Sequence, residues 1–201
     1  MIYADNIRLR APEREDIPRF VEWLNDPEVR QGLLLHLPLS HADEERWFDE
    51  MLQRPAHEHP LTIEVRIDSV DPNETPMDDI HRSEVQEGDL WRPVGNCGYH
   101  NLDWRCRSVE VGIFIGDKSC WNRGIGTQVM RLMLQHGFQT LNMNRIYLEV
   151  YETNPRAIRA YEKAGFVHEG RKRQGMYKDG RYFDILQMSV LREEWEMSMH
   201  P

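Results

Sequence analysis

The amino-acid sequence predicts one mixed α/β domain of about seven strands and about four helices, and three observations carry that expectation. Stretches of strict apolar and polar alternation recur along the chain, stretches with apolar residues three and four apart lie between them, and Gly, Asn, Ser or Pro marks most junctions. The length fits one domain: 201 residues, 40% hydrophobic and 29% charged. A chain of that size buries roughly 70% of its unfolded surface without a metal or disulfide staple.

Met1 to Arg10 alternates like a strand and carries no basic segment followed by an apolar run, so we expect no secretory signal and a cytoplasmic protein. Ile17, Phe20, Val21 and Leu24 have the spacing of an amphipathic helix. The longest apolar stretch, Gly32 to Leu39, is broken by His36 and Pro38 and falls far short of the roughly 20 residues a membrane span needs. Ser40, with Asp43 three positions on, reads as the cap of a second helix that buries Trp47, Phe48, Met51 and Leu52. Leu61, Ile63, Val65 and Ile67 then alternate with Thr62, Glu64 and Arg66 as a strand. Further strands are expected at Val94 to Asn101 and Ser108 to Ile115. In the second, Val109, Val111, Ile113 and Ile115 point one way and Glu110, Gly112 and Phe114 the other.

A glycine turn, Trp121 to Thr127, follows and opens a helix with Ile125, Val129, Leu132 and Met133 spaced for burial. Ile146, Leu148 and Val150 make another strand, ended by Asn154 as N-cap and Pro155 at the first helical position. Ala157, Ile158, Tyr161 and Ala164 share a face of that helix, and Gly165 stops it. The last two strands, Phe166 to Tyr177 and Arg181 to Leu191, meet at Lys178-Asp179-Gly180, where Asp-Gly signals a hairpin.

Charge is unevenly spread. The segment from Asp68 to Asp89 holds eight acids against Arg82 alone, so it carries −7 of the net −9. With its prolines it reads as a long insertion, at about 68–93, inside the one domain. Such a segment is either a solvated loop or an acidic rim that draws in a cationic substrate over a Debye length of roughly 8 Å. Net acidity argues against nucleic acid as the main partner. Cys97, Cys106 and Cys120 form no C-x-x-C pair and read as free thiols; His57, Glu58 and His59 sit in a loop, and no metal is expected. Trp23, Trp47, Trp91, Trp104 and Leu33 to Leu35 serve either the core or a homodimer contact.

Backbone N–H groups at a helix start bind anions, so Arg123-Gly124-Ile125-Gly126-Thr127 could wrap a pyrophosphate. Taken alone, the turn has a structural explanation as good as the functional one. A Walker loop is absent, and Val129 stands where a dinucleotide fingerprint needs its third glycine.

Three blocks in order are more specific: Trp121 to Thr127, Asn144 to Val150, and Asn154 through Ala157 to Phe166. Together they resemble the GNAT superfamily of acetyl-CoA-dependent N-acetyltransferases, in the branch of ribosomal-protein alanine (RimJ/RimL type) and spermidine acetyltransferases. The likeness runs from about Ile7 to Leu191 in element order. It implies a central, mostly antiparallel mixed sheet whose fourth and fifth strands splay apart. The pantetheine arm of acetyl-CoA would enter the gap against the backbone of Ile113, Phe114 and Ile115, and Asn122, Arg123, Gly124, Ile125, Gly126 and Thr127 would take the pyrophosphate. Trp121 stands where the family often has Gln or Arg, which leaves phosphate binding to the backbone with help from Arg123.

Amide formation from a thioester needs a neutral amine, a stabilised oxyanion and a proton for the thiolate. A lysine-like amine has a pKa near 10.4, so a base or water chain must take its proton. Glu110 is the candidate base; otherwise it is an exposed strand glutamate in an ion pair. Tyr161 is the acid that the resemblance implies, and without the resemblance it reads as a core aromatic. Asn154 caps its helix and, by the same resemblance, bonds the pantetheine. A backbone N–H near Phe114 would meet the oxyanion. The basic hairpin residues Arg171, Lys172, Arg173, Lys178 and Arg181 are solvated or contact CoA phosphates or RNA. The acceptor stays open among a protein N-terminus, a polyamine and another small amine. The alternative is a non-catalytic acyl-CoA-binding or RNA-associated module on the same scaffold.

Overall fold

The computed structural model describes residues 1–33, 35–66 and 91–199. In chain order these form β1 (Ile2–Ala4), β2 (Ile7–Arg10), α1 (Ile17–Asn25), α2 (Pro27–Gln31), α3 (His41–Leu52), β3 (Leu61–Arg66), β4 (Trp91–Asp103) and β5 (Ser108–Ile115). There follow α4 (Ile125–Gln135), β6 (Arg145–Tyr151), α5 (Pro155–Ala164), β7 (Val167–Lys178), β8 (Arg181–Leu191) and α6 (Arg192–Met199). One sheet results, in the order β1-β2-β3-β4-β5-β6-β8-β7. Every neighbouring pair is antiparallel except β5 and β6.

The described residues thus hold eight strands and six helices, against the seven and four expected. The N-terminal alternation is split by a turn at Asp5 and Asn6 into a hairpin, so the splayed strands are the fifth and sixth. Helix α2 has five residues, too few to show a period; Asp26 starts it, its carboxylate accepting from the N–H groups of Glu28 (2.8 Å) and Val29 (3.2 Å). Half the residues of helix α6 are charged, and it is fixed by Trp195 against Phe138, ring centroids 5.4 Å apart. Strand β4 begins at Trp91, three residues ahead of the expected start, because it pairs with β3 as far as Arg66. Ile67 and the acidic segment up to Leu90 lie outside the described residues.

Alternation along the strands gives the sheet two different faces. Val109, Val111, Leu148, Val150 and Val190 turn toward α4 and α5 and form the main core with Val129, Met133 and Tyr161. The other face carries α1 and α3, joined through Ile17, Val21, Phe48 and Met51. Phe20 of α1 meets Phe114 of β5 edge-on at 6.4 Å, which keeps α1 over the end of β5. A buried ionic cluster ties β2, β3 and the start of α1 together. Arg8 and Arg10 both bind Glu64, and Arg10 holds Asp16 through two bonds of 2.7 Å. Thr62 donates to the same Asp16 at 3.1 Å.

Candidate active site

Strands β5 and β6 are paired only from Ser108 to Glu110 against Arg145 to Tyr147. Beyond that point each follows its other neighbour: β5 stays with β4 as far as Ile115, and β6 stays with β8 as far as Tyr151. The strands therefore part, and a cavity of about 620 Å³ occupies the gap. Val111 to Ile115 line one wall, Glu149 to Tyr151 the other, and α4 and α5 close it. That size lies within the range of small-molecule sites.

The start of α4 faces this cavity. Asn122 (φ 61°) and Gly124 (φ 80°) are left-handed. A side chain on Gly124 would meet no protein atom within 4 Å, so glycine is required there for the backbone angle. The first bond of the helix is Gln128 N–H to the Gly124 carbonyl at 3.0 Å, which leaves the N–H groups of Ile125, Gly126 and Thr127 without intrahelical partners. These are the groups that can bind an anion. The Thr127 hydroxyl is already committed, donating to the Ala160 carbonyl at 3.2 Å.

Asn122, Gly124, Ile125, Gly126 and Thr127 line the cavity, whereas Arg123 does not. The cations that do are Arg156, Arg159 and Lys163 of α5. Their spacing of three and four residues puts them on one helix face, a signal present in the sequence and missed. The Arg156 guanidinium stacks 3.4 Å above the Trp121 ring, and the Trp121 indole donates to the Ile115 carbonyl at 2.8 Å. Trp121 thus ties the end of β5 to α5 and supplies the platform that positions an arginine. Burial pulls the Arg156 guanidinium below its ordinary value, but arginine stays charged at any physiological pH.

Helix α5 also carries the other expected residues. Asn154 Oδ1 accepts from the Ala157 N–H at 3.1 Å and caps the helix. Its amide nitrogen lies against Gly32, where a methyl group would come within 2.8 Å. Tyr161 is 8% exposed and packs on Phe166 with ring centroids 6.0 Å apart. Burial pushes its phenol up to about 12. The Tyr161 hydroxyl has no hydrogen-bond partner among the described residues, and Tyr161 lines the cavity.

Glu110 sits where β5 and β6 separate, on the sheet face turned from α4, and accepts from Asn101 Nδ2 at 2.7 Å. Two further cavity residues share that face and were not singled out from the sequence: His100, directly opposite Glu110 in β4, and Glu149 of β6. The polar positions of β6 flank Leu148 and Val150, so the alternation there contained the signal for Glu149. Lys172 pairs with Glu149, and Gln187 donates to it at 3.3 Å.

Of the basic hairpin residues, Arg171, Lys172 and Lys178 are engaged in internal contacts, and none of the five lines the cavity. Arg171 binds Asp184 at 2.9 Å. Lys178 Nζ donates to the carbonyls of Arg30, Gln31 and Leu33 at 2.6, 3.2 and 3.3 Å, satisfying the end of α2. The turn so held brings Gly32 and Leu33 to the cavity mouth. Among the tryptophans, Trp23 is buried and Trp104 is exposed.

Cys97, Cys106 and Cys120 are free thiols, and burial pushes the Cys97 thiol far up from its ordinary value. Among the described residues no cluster of His, Cys, Asp and Glu could hold a metal, and no helix is long and apolar enough to cross a membrane.

Comparison with known proteins agrees with this geometry. Residues 6–167 match the family model described as "Acetyltransferase (GNAT) domain". The "Uncharacterized N-acetyltransferase p20" of Bacillus licheniformis is 23% identical over 194 residues, covering 96% of this chain and 97% of that protein. The spermidine N(1)-acetyltransferase of Vibrio cholerae is 26% identical over 189 residues, 94% of this chain and 95% of that one. A crystal structure of spermidine N-acetyltransferase from Vibrio cholerae in complex with CoA and spermine superposes with a TM-score of 0.77 at 22% identity, covering 96% of this chain and 99% of that chain. The chain belongs to the GNAT family: it is an N-acetyltransferase whose acyl donor is acetyl-CoA.

Proposed function

We propose that the enzyme passes the acetyl group directly from acetyl-CoA to a primary amine on a cationic acceptor, a polyamine or a protein N-terminus. One observation carries this reading: the gap between β5 and β6 opens toward a helix N-terminus flanked by Arg156, Arg159 and Lys163 and toward a sheet face bearing Glu110 and Glu149. Cations on the first side suit the pyrophosphate and the carboxylates on the second suit an ammonium group.

The backbone of Ile113 to Ile115 and the Asn154 amide hold the pantetheine arm, and the N–H groups of Ile125, Gly126 and Thr127 hold the pyrophosphate. Glu110 is the sink for the ammonium proton. The freed amine attacks the thioester carbonyl, the new C–N bond forms as the C–S bond breaks, and the nitrogen sheds its second proton to cavity water, from which the Tyr161 phenol is restored. A backbone N–H near Phe114 meets the oxyanion. Tyr161 gives its proton to the departing thiolate, and burial keeps that phenol protonated at neutral pH. The likeness to a spermidine N(1)-acetyltransferase supports the cationic acceptor, as does the −7 of the acidic segment.

The test is release of free CoA thiol from acetyl-CoA with spermidine, an alanine-terminated peptide, a serine-terminated peptide and an aminoglycoside. Turnover with a cationic amine is expected. Acetyl-CoA binding by calorimetry without turnover on any acceptor would favour a non-catalytic acyl-CoA-binding protein.

A further inference from the structure

His100 stands at the fork of β5 and β6 in a position that the reaction can use. Its strand partner is Glu110, and directly opposed residues of an antiparallel pair project from the same face of the sheet. Both line the cavity. The ring leans along β5 over the next residue of that face: a methyl group on Gly112 would lie 3.3 Å from His100 Nε2. Gly112 thus leaves the space the imidazole occupies, beside the stretch of backbone assigned to the pantetheine arm. Neither ring nitrogen of His100 has a hydrogen-bond partner among the described residues. One oxygen of Glu110, by contrast, is already held by Asn101 at 2.7 Å.

We infer that His100 is a catalytic base: its Nε2 receives the proton of the acceptor ammonium, and the Glu110 carboxylate opposite stabilises the imidazolium. The inference rests on the transfer proposed above and refines it: the proton goes to His100, and Glu110 acts through the charge it sets opposite the ring. The electron pair freed on the amine nitrogen forms the C–N bond, the C–S bond breaks and Tyr161 protonates the thiolate; the nitrogen's second proton passes through cavity water to restore the Tyr161 phenol, and the imidazolium returns its proton to water through the open cavity. The imidazole suits this step because its ring nitrogen is open to accept a proton, whereas one Glu110 oxygen is already held by Asn101. Charged and titratable groups on the elements around this end of β4 are Asp103, Arg105, Cys106 and Arg107 at the turn into β5, Glu110 on β5, Tyr147 and Glu149 on β6, and His57, Glu58 and His59 on the turn before β3. Of these, Glu110 and Glu149 share the cavity with His100.

The experiment compares wild type with His100→Gln, reading kcat/KM for spermidine, or for the alanine-terminated peptide if the acceptor panel selects it, from about pH 7 to about pH 10. At pH 7 an amine of pKa near 10.4 is neutral in roughly one molecule in 2,500. The variant is expected to be at least tenfold slower there, with unchanged acetyl-CoA affinity by calorimetry. Its deficit should shrink as the pH approaches the amine's own pKa, where the acceptor arrives already deprotonated. His100 is exposed, so the substitution leaves the fold intact, and a melting curve verifies this. A deficit constant across that pH range means a structural role and overturns the inference, as does wild-type turnover. Absence of turnover in the wild type would instead overturn the transfer reading, and the inference with it.

Discussion

Replacing Tyr161 by Phe removes one oxygen and keeps the ring, which separates chemistry from packing at this position. The ring is 8% exposed and rests on Phe166, and those contacts survive the change. The hydroxyl bonds no described residue, so its loss breaks no hydrogen bond among the described residues. The melting temperature should therefore stay within the shift that about 1 kcal/mol produces. Catalysis should respond differently. With burial holding the phenol at about 12, roughly one molecule in 10⁵ is ionised at pH 7, so the proton is always available for the thiolate. General acids contribute about 10² to 10⁴ in rate, while a water molecule entering the cavity can replace part of that. We expect kcat to fall at least about tenfold, equivalent to roughly 1.4 kcal/mol of transition-state stabilisation. The acetyl-CoA dissociation constant should hold. Steady-state kinetics of thiol release, calorimetry with acetyl-CoA and thermal melts of both proteins make the comparison. Wild-type kcat in a well-folded Tyr161→Phe would remove the phenol from the mechanism. A lower melting temperature with proportionate loss of binding would reduce Tyr161 to a core aromatic.

Three other outcomes are expected. Arg156→Gln should weaken acetyl-CoA binding about tenfold, the loss of one charge-assisted contact, with kcat at saturation unchanged; calorimetry across a salt series reads it, and an unchanged affinity would exclude Arg156 from the phosphate site. Gly95→Ala sets a methyl group against the Phe114 carbonyl and 2.9 Å from Ile115 Cα, so it should push β5 off β4 and raise the KM for acetyl-CoA before it affects overall stability; equal KM values would refute this. For Asp16, burial alone would raise the carboxyl, but hydrogen bonds from Arg10, the Glu13 backbone and Thr62 outweigh it and hold it below the usual range. A depressed folded value means stability that is complete above the unfolded carboxylate pKa near 3.9 and lost as pH falls through the folded value. Asp16→Asn should cost about 3 to 5 kcal/mol at neutral pH by leaving Arg10 partly uncompensated, and denaturant melts at neutral and acid pH should converge.

The elements that could be read from the sequence are those whose signals are local. Asp179 (φ 50°) and Gly180 (φ 79°) both adopt the left-handed angles that a tight hairpin turn requires. Ser40 and Asp43 exchange bonds of 3.2 and 3.0 Å as a capping box does. Asn154, Pro155 and Gly165 mark the ends of α5 where their chemistry indicated. Distant packing was not legible. The alternation of β5 continues evenly from Val109 to Ile115 and gives no hint that pairing with β6 stops at Glu110, because that is decided by which neighbour each strand follows. The same holds for the cavity's cations. Arg123 is adjacent to the glycine turn in sequence, yet it is Arg156, 33 positions further on, that the Trp121 ring brings to the cavity.

Strand alternation also explains how one cavity can be cationic on one side and anionic on the other. Successive residues of β5 and β6 point to opposite faces, so Val111, Leu148 and Val150 join the core beneath α4 and α5, while Glu110 and Glu149 turn to the opposite face. The bases of α5 and the acids of the sheet are thereby separated by the sheet itself. Wherever neighbouring strands stay hydrogen-bonded, a donor bound on one face could not reach an acceptor on the other. Only at the fork, where β5 and β6 lose their shared ladder, does the backbone leave an opening through the sheet. A register slip of one residue in β6 would exchange Glu149 for Leu148 or Val150 at that opening. The antiparallel ladder from Arg145–Leu191 to Tyr151–Ile185 fixes β6 along its whole length, and so it governs the charge of the acceptor face as well as the width of the gap.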